Sequence, residues 1–92
     1  MTAPVPLAPR LDLPAARPLS EAIRARAGQP LDLDAGDVVH LGGLCLQVLL
    51  AAAASWRAAG QQLHIRPRSQ AFEEALATFG LAPSALESEG AA

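Results

Sequence analysis

The chain has no lysine and no tyrosine, one cysteine, and aromatic residues at only 3% of its 92 positions. A single cysteine excludes an internal disulfide and a redox pair. With Trp56, Phe72 and Phe79 as the only large rings, the core has to come from Leu, Val and Ala. The seven cations are all arginine, set against nine carboxylates for a formal charge of −2. The basic excess of a nucleic-acid binder is therefore missing. Arginine and the 21 alanines share GC-rich codons, so this bias reads as genomic rather than functional. No stretch reaches the ~20 apolar residues of a membrane span. The opening MTAPVPLAPRLD, with three prolines in nine residues and no apolar run, does not read as a signal peptide. Hydrophobic residues at 51% and charged residues at 17% argue against disorder. The expectation is one small, soluble, cytoplasmic domain without direct membrane insertion. A domain of this size buries roughly 60–65% of its unfolded surface, so its stability is modest and a partner is a natural complement.

Val5, Leu7 and Leu11 fit a period of two. Pro6 and Pro9 remove ladder donors and confine this strand to a sheet edge. Ala15, Leu19, Ala22, Ile23 and Ala27 recur at three and four, predicting a helix near 15–27 that Gly28 stops. Leu31 and Leu33 alternate with Asp32 and Asp34 in a short strand, and Ala35-Gly36-Asp37 carries turn chemistry. The longest helical pattern covers 43–59. There Cys45, Val48, Leu49, Ala52 and Trp56 form one stripe beside a second made of Leu46, Leu50, Ala53 and Arg57. Apolar residues thus exceed one core-facing arc, as in a helix packed on both a sheet and a partner. Leu63 and Ile65 face inward on a strand closed by Pro67, with His64 outward. Ser69 is a good N-cap for a helix near 69–79 built on Phe72, Ala75, Leu76 and Phe79. The order β-α-β-α-β-α predicts a small α/β domain, a mainly parallel sheet of about four strands with helices packed on it. The expected limits are a flexible segment 1–4, the domain at 5–82 and a flexible tail at 83–92.

Little in the chain carries chemistry. His40, Cys45 and His64 match no zinc spacing, and Cys45 falls on an apolar helical stripe, so a packed thiol and two ordinary histidines are expected. Asp32, Asp34 and Asp37 read as a solvated rim. No Ser/His/Asp arrangement, phosphate loop or dinucleotide fingerprint occurs. No catalytic residue, metal or cofactor is therefore expected. Gly42-Gly43 is the informative pair: two glycines opening a helix leave its amides accessible and allow close approach. Gly43 is expected to be required sterically.

The stretch from Leu31 to Leu81 resembles the STAS domain, the fold of anti-sigma factor antagonists. Asp34 matches a strand-end Asp, Val38 or Val39 a loop residue, Gly43-Leu44 the Gly-Leu that opens the second helix, and Gly80-Leu81 the closing pair. Arg10-Leu11-Asp12 resembles the Leu-Asp before the first helix, so the similarity spans about residues 5–81. The departures are informative. His40 stands where the family has Asp, Leu41 at the following Ser or Thr, and Gly42 at the serine that partner kinases phosphorylate. The variant is similar to STAS proteins of bacterial chemotaxis and signalling modules.

The resemblance implies a non-enzymatic interaction module of a bacterial signalling system. It would bind a kinase-like or chemotaxis partner through His40, Leu41, Gly42, Gly43 and Gln47, without a phosphorylation site in that loop. A loop this poor in charge implies docking that depends weakly on salt. The alternatives are the STAS subunit of an ABC-type lipid transporter, disfavoured by Leu41 in place of Thr, and a domain that binds a nucleotide or anion.

Overall fold

Leu31, Leu33 and Ala35 are buried while Asp32 is exposed and Asp34 half-buried, and this alternation makes Leu31–Ala35 (β3) a strand with one wet face. The structure, a computed structural model, describes residues 3–90. This strand, β3, pairs with Val5–Pro6 (β1) on one side and with Gln62–Arg68 (β5) on the other, both in parallel. Ser88–Glu89 (β6) closes the far edge antiparallel to β5, giving a four-stranded sheet in the order β1-β3-β5-β6. Leu63 and Ile65 of β5 are buried on the same face as the β3 leucines. Its strand runs past Pro67 to Arg68, with a register shift between Leu33 and Ala35 absorbing the irregularity.

The expected first strand is two pieces. Pro6 lies at the sheet edge, where a missing N–H costs no ladder bond. Leu7 still donates to the Asp34 carbonyl (2.9 Å). Beyond Pro9 the chain leaves this sheet. Arg10–Leu11 (β2) pairs in parallel with His40–Leu41 (β4) as a separate two-stranded ribbon.

Three helices pack on the leucine face. A 3-10 turn at Leu13–Ala15 leads into Ala16–Arg24 (α1), which buries Ala16, Leu19 and Ile23. Gly43–Ala58 (α2) buries residues from both of its stripes: Cys45, Leu46, Leu49, Ala52, Ala53 and Trp56. Trp56 donates its indole N–H to the Gln29 carbonyl (2.8 Å), fixing the far end of α2 to the loop before β3. Gln70–Thr78 (α3) is capped by Ser69, whose hydroxyl accepts from the Phe72 amide (3.1 Å) and donates to the Val38 carbonyl. Gly80 then takes φ 77°, a left-handed angle that ends the helix cheaply only for glycine. Since α1 and α2 each connect parallel strands, they run alongside each other in the same direction.

Two further expectations change. Phe79, expected in the core, is 46% exposed because α3 ends one residue earlier and turns its last side chain outward. The segment expected to be a flexible tail from 83 is folded through residue 90. A 3-10 turn at Pro83–Leu86 brings Leu86 into the core at 1% exposure. The Glu87 carboxylate then accepts from the Ile65 amide (2.9 Å), extending the edge of β5 where no strand lies. Arg57 of α2 ties the segment down with hydrogen bonds to the carbonyls of Ser84 (2.9 Å), Ala85 (3.1 Å) and Glu87 (2.7 and 3.0 Å). Polar composition hid one leucine and a side-chain clamp from sequence reasoning. Of the terminal segments expected to be flexible, residues 1–2 and 91–92 lie outside the described residues.

Candidate functional site

The ribbon of β2 and β4 carries the chain to the start of α2. Pro9 accepts from the amides of Val39 (2.7 Å) and His40 (3.2 Å), and the Leu11 carbonyl accepts from the Gly42 amide (2.8 Å). The Cys45 thiol donates to the Asp12 carbonyl (3.3 Å). These bonds draw residues 9–13 against residues 39–45.

Gly42 is the N-cap of α2, in extended backbone at φ −88° and ψ 165°, an ordinary conformation for any residue. No side chain caps the helix, and no carboxylate lies in its first turn. The steric demand sits at Gly42 rather than at Gly43. A Cβ on Gly42 would lie 3.2 Å from the Leu11 carbonyl oxygen and 3.6 Å from His40 Nε2, whereas a Cβ on Gly43 would meet nothing within 4 Å. The expected requirement for Gly43 is therefore corrected. It opens the helix from an exposed position, while its neighbour takes the close backbone approach.

Of the residues expected to meet a partner, His40, Gly43 and Gln47 are exposed and Gly42 is half-buried. Leu41 is 4% exposed and belongs to the core, paired across the ribbon with Leu11, so it is not available to a partner. Sequence reasoning missed the side chains that make this surface apolar. Leu13 (72% exposed), Val39 (62%) and Leu44 (45%) are three of the four large hydrophobic residues exposed among the described residues. All three lie in the segments that converge on Gly42. Strand alternation could have placed Val39 opposite the buried Val38, but Leu13 needed knowledge of the 3-10 turn.

The remaining chemical candidates are dispersed. His64 points outward from β5, with Nε2 3.1 Å from Glu89 of β6. Asp32 sits beside it in register on β3. Asp34 accepts from the Gly36 amide (2.8 Å), the ordinary work of a turn residue. Burial, reinforced by the nearby Asp12 carboxylate, raises the Cys45 thiol above its usual pKa. That shift opposes thiolate formation, and the residue packs at 0% exposure. Among the described residues no group of three His, Cys, Asp or Glu side chains is placed to hold a metal ion. Nor is any helix long and apolar enough to cross a membrane.

No curated protein and no solved structure matches the chain. A family model described as "Mlab, STAS domain" matches residues 2–87, nearly the full length, and its match agrees with the mainly parallel sheet and three helices. The chain belongs to this STAS family of regulatory and interaction modules.

Proposed function

We propose that the protein is a non-enzymatic docking module of a bacterial signalling system whose binding surface is the start of α2. The observation that carries this reading is the apolar surface that exposed Leu13, Val39 and Leu44 give to the segments hydrogen-bonded together at Gly42, on a chain whose other leucines are buried or half-buried. His40, Gly43 and Gln47 supply its polar rim, the pattern of a protein interface with an apolar centre. The loop lacks the hydroxyl that STAS regulation by phosphorylation requires, because Gly42 occupies the position that resembles the family's serine. Binding is then set by partner concentration. The lipid-transporter reading loses its hydroxyl too, since Leu41 stands at the Thr position and is turned into the core.

Affinity capture from the native cell, with mass spectrometry of what is retained, tests the proposal. A signalling protein retained by the wild-type chain and lost with Leu44→Asp, while Asp32→Asn on the wet face of the sheet retains it, supports the reading. Retention of a transporter ATPase assigns the alternative. Retention unaffected by Leu44→Asp removes the surface from the account.

A further inference from the structure

From Leu44 a groove of about 400 Å³ continues between α1 and α2, walled by Ser20, Ile23 and Arg24 on one helix and by Gln47, Val48 and Ala51 on the other, and ending at Ser55. Residues 44, 47, 48, 51 and 55 follow the spacing of one helical face, so the groove is a straight track of about 16 Å at 1.5 Å rise per residue. Its floor is apolar and small-residue, and its single charged wall residue is the cation Arg24. Arg17 lies seven residues earlier on the same side of α1, about 10 Å towards the Leu44 end. Both arginines are exposed, and neither makes an ion pair or hydrogen bond among the described residues. Glu21, the only carboxylate on α1, does not line the groove and pairs with neither guanidinium.

We propose that this groove takes an amphipathic helix of the partner whose apolar face carries small or branched side chains and whose flank along α1 carries carboxylates. The inference rests on the docking role proposed above and names the chemistry of the partner segment. The length of the track suits about three turns of helix, and ridge-into-groove packing along α2 accepts side chains at three and four. The Arg24 guanidinium on the wall and the exposed Arg17 two helical turns before it, neither ion-paired among the described residues and with no lining carboxylate to answer them, select an acidic flank and disfavour a basic one. The loop at 38–44 is nearly uncharged, so the salt dependence of docking along the groove comes from Arg17 and Arg24.

The test is a displayed library of helical peptides of about twelve residues, long enough for the track at 1.5 Å per residue. Leu, Val or Ala occupy the positions spaced three and four apart, and each flanking position is Glu, Gln or Lys. Panning against the wild-type chain should enrich Glu over Lys on one flank by about tenfold, the scale of two exposed ion pairs. The bound peptide should shift the amide resonances of Leu44, Val48 and Ala51. Panning against the Arg17→Glu/Arg24→Glu double variant, both sites being exposed, should invert the preference to Lys with the same resonances shifted. Equal recovery of Glu and Lys, no enriched peptide, or shifts confined to other elements would overturn the proposal. So would a concentration-dependent dimer abolished by Val48→Glu, which assigns the groove to a second copy. These readouts need no native partner. The groove can therefore fail here while Leu44→Asp still releases the captured protein, and the converse holds equally.

Discussion

Replacing Gly42 and Gly43 separately by alanine should move stability in opposite directions, although the two residues are neighbours. At Gly42 the new methyl lies 3.2 Å from the Leu11 carbonyl oxygen, a few tenths of an ångström too close. That oxygen is held by the Gly42 amide itself at 2.8 Å, within a ribbon whose pairing spans only Arg10–Leu11 and His40–Leu41. Relief requires the ribbon to shift, and such overpacking costs about 1–3 kcal/mol. The backbone of Gly42 suits alanine, so the unfolded chain loses entropy and returns about 0.4–1 kcal/mol. The net expectation is a loss of about 1 kcal/mol. At Gly43 the methyl meets nothing, and the same entropy together with the gain in helix propensity stabilises the fold by up to about 1 kcal/mol. In thermal melts each kcal/mol is worth about 4–8 °C for a domain of this size, so the two variants should fall on opposite sides of wild type. Equal shifts of the same sign would refute the claim that the close approach belongs to Gly42 alone.

Leu86→Ala should cost about 2–5 kcal/mol by urea denaturation, since it empties a fully buried site; a shift below ~0.5 kcal/mol would mean that the C-terminal segment is loose. Arg57→Ala should cost about 1 kcal/mol and speed proteolysis after residue 82, because the carbonyls of Ser84, Ala85 and Glu87 lose their shared donor. Cys45 is buried and its thiol pKa is raised, so alkylation of the native chain at pH 8 should run about a hundredfold slower than in denaturant. Labelling at the unfolded rate would contradict the packing of α2 against Asp12.

Period-two and period-3.6 patterning made the sheet and the three helices legible because these elements bury one face and wet the other. Leu31, Leu33, Leu63 and Ile65 declared their face in that way, and Ser69 declared the start of α3. The closing segment 83–90 was illegible for the opposite reason. Its stability comes from one leucine and from Arg57 reaching 27 to 30 positions along the chain, which no local pattern encodes. The site was half legible. Gly42-Gly43 marked the helix opening, yet which glycine is crowded depends on Leu11, which approaches only once the ribbon has formed. Leu41 read as a surface residue because the motif resemblance aligned it with a polar position, whereas its pairing with Leu11 turns it inward. Leu13 and Leu44, far apart in sequence, belong to neighbouring segments only through the Cys45–Asp12 and Gly42–Leu11 hydrogen bonds.

A docking surface without a phosphate switch should leave the reconstituted complex of the chain and its partner indifferent to ATP, which phosphosite mapping can establish. The purified chain is incubated with its captured partner and ATP, complex retention is followed by size exclusion, and residues 38–47 are mapped by mass spectrometry. With no Ser, Thr or Tyr in that span, the expected result is an intact complex and an unmodified loop. Gly42→Glu should release the partner without ATP, while Gly42→Gln, which crowds the Leu11 carbonyl equally but adds no charge, should retain it. Stoichiometric phosphate within 38–47 accompanied by partner release would mean that the loop is switched after all.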